Sequence, residues 1–94
     1  MINSKQRAYL RSQANNIDPI FQIGKGGVTP ELVKTLNEAL DKRELVKVTI
    51  LKNCFDDIKE ICEKISERTH SDPVQVIGRK IVLYKKSKDN PKYL

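Results

Sequence analysis

The sequence predicts an α/β (α+β) domain of element order α-β-α-β-α-β-β, a four-stranded mixed sheet with helices packed on it. Three observations predict it. Apolar residues switch between the i, i+4, i+7 stripe of helices and the period of two of strands. A glycine cluster, Gly24-Lys25-Gly26-Gly27, separates a β-branched run from a strong helix start. Gly78-Arg79 divides two further β-branched runs as a two-residue hairpin turn does.

Ser4 is placed to cap a first helix, roughly Ser4 to Asn16, with Leu10, Ala14 and Ile17 on one stripe; Asp18-Pro19 ends it because proline disfavours helix at the residue before it. This pattern does not say which face of the sheet the helix meets. Pro19 to Ile23 reads as a short strand running into the glycines. Thr29-Pro30-Glu31 then supplies a hydroxyl cap, a proline where no N–H is missed and an acid in the positive first turn. This second helix extends to about Lys42 over Leu32, Val33, Leu36, Ala39 and Leu40.

In Leu45 to Leu51, Val46, Val48 and Ile50 alternate with Lys47 and Thr49, so one face is buried and the other is more polar. A third helix from Asp56 or Asp57 to Thr69 carries Ile58, Ile61, Cys62 and Ile65 at helical spacing, with an acidic outer face. Val74 to Ile77 and Lys80 to Tyr84 close the fold as a hairpin with a type II′ turn. Consecutive β-α-β units require a parallel pair and the hairpin an antiparallel one; helices 2 and 3 then cover one face. Residues 1–86 are expected to form a single domain and 87–94 a basic, flexible tail.

Of the 94 residues, 38% are hydrophobic and 32% charged, a composition that folds around one modest core. No apolar run approaches the roughly 20 residues of a membrane span, and the N-terminus lacks a signal core; a cytoplasmic protein without membrane contact is expected. Cys54 and Cys62 match no metal or redox spacing and read as buried free thiols. The net charge of +6 is unevenly placed. Residues 1–15 carry Lys5, Arg7 and Arg11 with no acid, and residues 85–94 carry Lys85, Lys86, Lys88 and Lys92 against Asp89, while the interior balances. A polyanionic partner is implied if folding brings the two ends onto one face.

The glycine loop can bind phosphate: a strand that turns through glycines onto a helix N-terminus offers successive backbone N–H groups beside the positive end of the helix dipole. Lys25 adds a mobile cation. Alone, such a loop reads equally as a tight strand–helix turn. It is neither a Walker loop nor a dinucleotide fingerprint, so nucleotide hydrolysis has no support. Lys5, Arg7, Arg11, Arg79, Lys80, Lys85 and Lys86 add scattered cations suited to a phosphate backbone rather than to one small ligand. The few aromatic residues do not form a base-stacking platform like that of an RRM sheet, although Tyr9, off the apolar stripe of helix 1, could stack. Catalysis is poorly served. His70 is the only histidine and follows a helix end, and the acids form a solvated face. No enzyme, no metal, no cofactor and no small-molecule substrate is expected.

Lys5-Gln6-Arg7, Ile23 to Thr29, Glu44 to Val48, Val74 to Gly78 and Ile81 to Tyr84, taken in order, resemble the chloroplast RNA splicing and ribosome maturation (CRM) domain in its stand-alone bacterial YhbY-like form. The resemblance runs from about Asn3 to Lys86. It implies a fold similar to the C-terminal domain of translation initiation factor three, with an added N-terminal helix and a KH-like GxxG loop. It also implies RNA binding: bacterial members are associated with precursors of the large ribosomal subunit, plant members with group II intron splicing. The RNA-contacting loop of the family maps onto Gly24, Lys25, Gly26 and Gly27. The glycine-bracketed positions here are Lys25 and Gly26, so the loop offers one cation and leans more on backbone amides.

The leading expectation is a protein, monomeric when free, whose helix 1, glycine loop and C-terminal basic segment form one face that grips rRNA during large-subunit assembly. A protein-interaction module using acidic helix 3 or an exposed sheet edge is the second possibility; a small-anion enzyme is the third.

Overall fold

The computed structural model describes residues 2–89 and 91–94, and its first helix, α1 (Ser4–Ala14), starts from a capping box one residue earlier than expected. Asn3, not Ser4, is the cap: its Oδ1 accepts from the Gln6 amide at 2.8 Å, and Gln6 Oε1 accepts from the Asn3 amide at 2.9 Å. Asparagine outcompetes serine because Gln6 stands at the position that can return the bond.

β1 (Phe21–Ile23) is shorter than its apolar run and pairs in parallel with β2 (Leu45–Ile50), with Ile23 opposite Ile50. Between them α2 (Pro30–Arg43) begins as expected, the Thr29 hydroxyl accepting from the Leu32 amide at 3.1 Å. α3 (Ile58–Thr69) is capped by Asp57 and stopped by His70, which adopts the left-handed conformation at φ 55°. β3 (Asp72–Ile77) and β4 (Lys80–Tyr84) form the hairpin, with Gly78 at φ 57° in the first turn position. The sheet order is β1-β2-β4-β3, with β4 antiparallel to both neighbours.

Side-chain alternation divides the core. Ile23, Val46, Val48, Ile50, Ile81 and Leu83 face α2 and α3, where Leu36, Leu40, Ile61, Cys62 and Ile65 complete one cluster. Leu45, Val74, Val82 and Tyr84 face the other way and meet Leu10 and Ala14 of α1. The docking of α1 thus explains why four successive residues of β4, Ile81 to Tyr84, are all buried: a central strand covered by helices on both faces has no polar side. Burying a side chain such as Leu10 contributes roughly 1.5–3 kcal/mol to the docking of this 11-residue helix of mostly polar sequence.

Of residues 87–94, expected as a basic, flexible tail, Ser87, Lys92 and Tyr93 bond back to the domain, and Asn90 lies outside the described residues. Glu44 follows α2 with φ 66° and is fully buried. Its carboxylate accepts from the backbone amides of Ser87 at 2.6 Å, of Lys92 and of Tyr93 at 3.2 Å. A buried carboxylate needs such donors to offset its lost hydration, so the acid that ends α2 also holds the amides of Ser87, Lys92 and Tyr93.

Candidate nucleic-acid interface

The glycine loop closes through a turn in which the Gly27 amide donates to the Gly24 carbonyl at 3.0 Å, putting Lys25 and Gly26 at the exposed tip. The three glycines do different things. Gly27 has φ +65°, a conformation L side chains rarely adopt, and a Cβ there would stand 3.0 Å from Asp56 Oδ2. A Cβ on Gly24 would stand 3.2 Å from Asn53 Oδ1, whereas one on Gly26 would meet nothing within 4 Å. Gly27 therefore makes the turn, Gly24 admits a neighbouring loop, and Gly26 leaves the tip open to an incoming group.

That neighbouring loop, residues 51–57, joins β2 to α3. The Leu51 amide extends the parallel ladder to the Ile23 carbonyl at 2.8 Å, and the Cys54 amide donates to the Leu51 carbonyl at 3.0 Å. Arg79 then ties it down. Its guanidinium donates to the carbonyls of Ile50 at 2.9 Å, Leu51 at 2.5 Å and Cys54 at 3.2 Å. Arg79, expected as a phosphate contact, uses its Nε and Nη2 donors inside the protein, where they support the floor beside the glycines.

Strand register divides the expected site in two. Ile23, Ile50 and Lys80 lie at one end of the sheet; Leu45 and Tyr84 are paired at the other. With about 3.3 Å per residue, these ends are roughly 16 Å apart. Gly24, Lys25, Gly26, Gly27, Arg79 and Lys80 belong to the first end, and α2 and α3 both begin there, so two helix N-termini share it. Lys85 and Lys86 follow Tyr84 at the second end, and Arg7 joins them there, its Nε donating to the Pro73 carbonyl at 3.4 Å. Lys5 and Arg11 are exposed on α1, which rests on Leu45, Val74, Val82 and Tyr84.

The cations expected on one basic face are thus divided between the two ends of the sheet. The second end is also partly neutralised: Lys85 Nζ lies 3.4 Å from Asp41 and donates to Asn37 Oδ1 at 2.7 Å. At the first end Lys25, Lys52 and Lys80 are exposed. Lys52, Asn53 and Phe55 were not among the expected site residues; a polar connection after a strand gives no sign that it will fold against a glycine loop.

Among the described residues, no group of three or more His, Cys, Asp or Glu side chains could hold a metal ion, and no helix is long and apolar enough to cross a membrane. Both cysteines are buried and free. Burial, with a smaller contribution from Glu63, raises the Cys62 thiol above its ordinary pKa, which opposes thiolate chemistry.

This architecture has relatives. The family model of the CRS1 / YhbY (CRM) domain matches residues 2–85. The chain belongs to the CRM family. Among CRM relatives, the probable RNA-binding protein YqeI of Bacillus subtilis is 48% identical over 90 residues, covering 96% of this chain and 94% of that protein. The probable RNA-binding protein MJ0652 of Methanocaldococcus jannaschii is 30% identical over 95 residues, covering 99% of this chain and 70% of that protein. The solution structure of SAV1595 from Staphylococcus aureus superposes with a TM-score of 0.82 at 56% identity, covering 96% of this chain and 94% of that one.

Proposed function

We propose that this CRM domain is an RNA-binding module, not an enzyme, that engages folded RNA through the end of the sheet holding the Gly24–Gly27 loop. The observation that carries this reading is the open tip: Lys25 and Gly26 stand exposed just ahead of the α2 N-terminus, so a lysine cation and the positive end of a helix dipole act on the same approaching phosphate. The names of the relatives YqeI and MJ0652, both probable RNA-binding proteins, support the ligand class. Recognition rests on shape and backbone rather than on a row of base-specific contacts, since the exposed cations are lysines, which do not fix planar geometry.

The RNA is rRNA within precursors of the large ribosomal subunit, as the family resemblance implies, and the site of action is the cytoplasm. Crosslinking in cells followed by sequencing of the bound RNA tests this, with a Lys25→Asp, Gly26→Asp double variant as the control. A discrete patch of large-subunit rRNA, enriched in unprocessed transcripts and lost in the variant, is expected. The same diffuse background for both proteins would overturn it.

One observation favours a second role in protein association. β3 is an edge strand whose last residues, Val76 and Ile77, are exposed, and unpaired edges recruit other chains. Recovery of a protein partner after nuclease treatment would support that role.

A further inference from the structure

Phe55 is the most exposed large hydrophobic side chain among the described residues, 91% accessible against 59% for Ile77, the next. Single exposed apolar residues are common, so exposure alone decides nothing. Its setting does. The residue before it, Cys54, is buried, donates its amide to the Leu51 carbonyl and gives its carbonyl to Arg79. Two residues after it, Asp57 caps α3, its Oδ1 accepting from the Lys59 amide at 3.2 Å. The backbone on both sides is thus fixed, and the ring is held outward from an anchored turn.

That turn is also the wall of the glycine loop. Asn53 and Asp56, on either side of Phe55, are the residues whose side chains crowd Gly24 and Gly27. An RNA whose phosphate sits at Lys25 and Gly26 therefore passes close to the ring. The flanking carboxylates of Asp56 and Asp57 disfavour a second phosphate there, but they do not disfavour an uncharged base, and every base has a face that stacks on an aromatic ring.

We propose that Phe55 is a stacking platform for an unpaired nucleotide adjacent to the phosphate held by the Gly24–Gly27 loop. The inference rests on the RNA-binding reading above and deepens it: the preferred ligand is a helix interrupted by a loop or bulge, not a continuous duplex, because a paired base must first give up its pairing and stacking, at a cost in free energy, to meet the ring.

The test uses the full chain with two synthetic RNAs, a hairpin with an unpaired loop and a blunt duplex containing the same stem. Phe55→Ala should weaken hairpin binding by about five- to a hundred-fold, the range of base–aromatic stacking, and leave duplex binding and the salt slope unchanged, since stacking releases no counterions. The chain has no tryptophan, so Phe55→Trp supplies a unique indole whose fluorescence should be quenched by the hairpin and little by the duplex, with affinity retained. Phe55→Ala binding the hairpin as wild type does, while Lys25→Asp still weakens it, would overturn the stacking role and spare the loop. Loss of a protein partner with hairpin affinity intact would overturn it equally. A wild-type protein that binds neither RNA would overturn both readings.

Discussion

The Arg79 guanidinium donates to the main-chain carbonyl of Leu51 at 2.5 Å, joining the tip of the β3–β4 hairpin to the first residue after β2. Two further bonds, to Ile50 and Cys54, make this arginine a brace for the 51–57 loop. The brace and the glycine loop share a wall, so the shape of the proposed RNA site depends on a residue that need not touch RNA.

Arg79→Ala is accordingly expected to cost about 2 kcal/mol, since hydrogen bonds from charged donors contribute roughly 1.5–3 kcal/mol. For a domain of this size that is a fall in Tm of roughly 10 °C. RNA affinity should drop through disorder of the loop with little change in its salt dependence. A phosphate-contacting arginine behaves differently: its removal lowers the slope by about one unit and leaves Tm nearly unchanged. Thermal denaturation together with binding isotherms at several salt concentrations separates the two.

The two adjacent glycines, Gly26 and Gly27, should differ sharply. Gly27→Ala forces a Cβ into a left-handed backbone and against Asp56, with an expected cost of about 1–2 kcal/mol. Gly26→Ala meets open space and should stay within about 0.5 kcal/mol of wild type. Chemical denaturation of both variants measures this; equal losses would contradict the geometry of the turn.

The Tyr84 hydroxyl is buried and, among the described residues, has no hydrogen-bond partner. Burial chiefly, then Glu44 and Asp72, raises its pKa above the ordinary value near 10. A pKa higher in the folded state than in the unfolded one means the folded state holds the proton longer. The resulting stability is present below the unfolded value and is lost as pH rises from about 10 through the folded pKa. Tyr84→Phe should therefore fold at least as stably at neutral pH, because no partner is orphaned, and should lose less stability on alkaline titration. Denaturant midpoints at pH 8 and above 10 for both proteins check the sign.

Much of the fold is legible in local chemistry. Thr29-Pro30-Glu31 marks the start of α2, and Gly78-Arg79 marks the hairpin, because caps and tight turns are decided by neighbours in sequence. The docking of α1 is less legible, since its polar composition carries only a thin apolar stripe, and its partners Leu45, Val82 and Tyr84 are scattered across β2 and β4. Glu44 looks like an ordinary helix-terminal acid until the chain returns from residue 85 onwards to bond it. The same holds for the interface. Gly24 to Gly27 stand out in the sequence, but a count of basic residues cannot reveal that strand register places Lys85 and Lys86 at one end of the sheet and Lys25 at the other. Phe55 and Arg79 acquire their roles only through contacts between segments distant in sequence.

The central claim is that RNA is engaged at the glycine-loop end of the sheet and not at the end where the C-terminal lysines lie. The direct measurement is the affinity for a structured rRNA fragment as a function of salt for wild type, for Lys25→Asp with Gly26→Asp, and for Lys86→Asp. The loop variant should lose about ten-fold or more in affinity and at least one unit of salt slope, while Lys86→Asp should change affinity by no more than about two- to three-fold. The reverse order, with the loop variant binding normally and Lys86→Asp impaired, would contradict the account and move the RNA site to the opposite end of the domain.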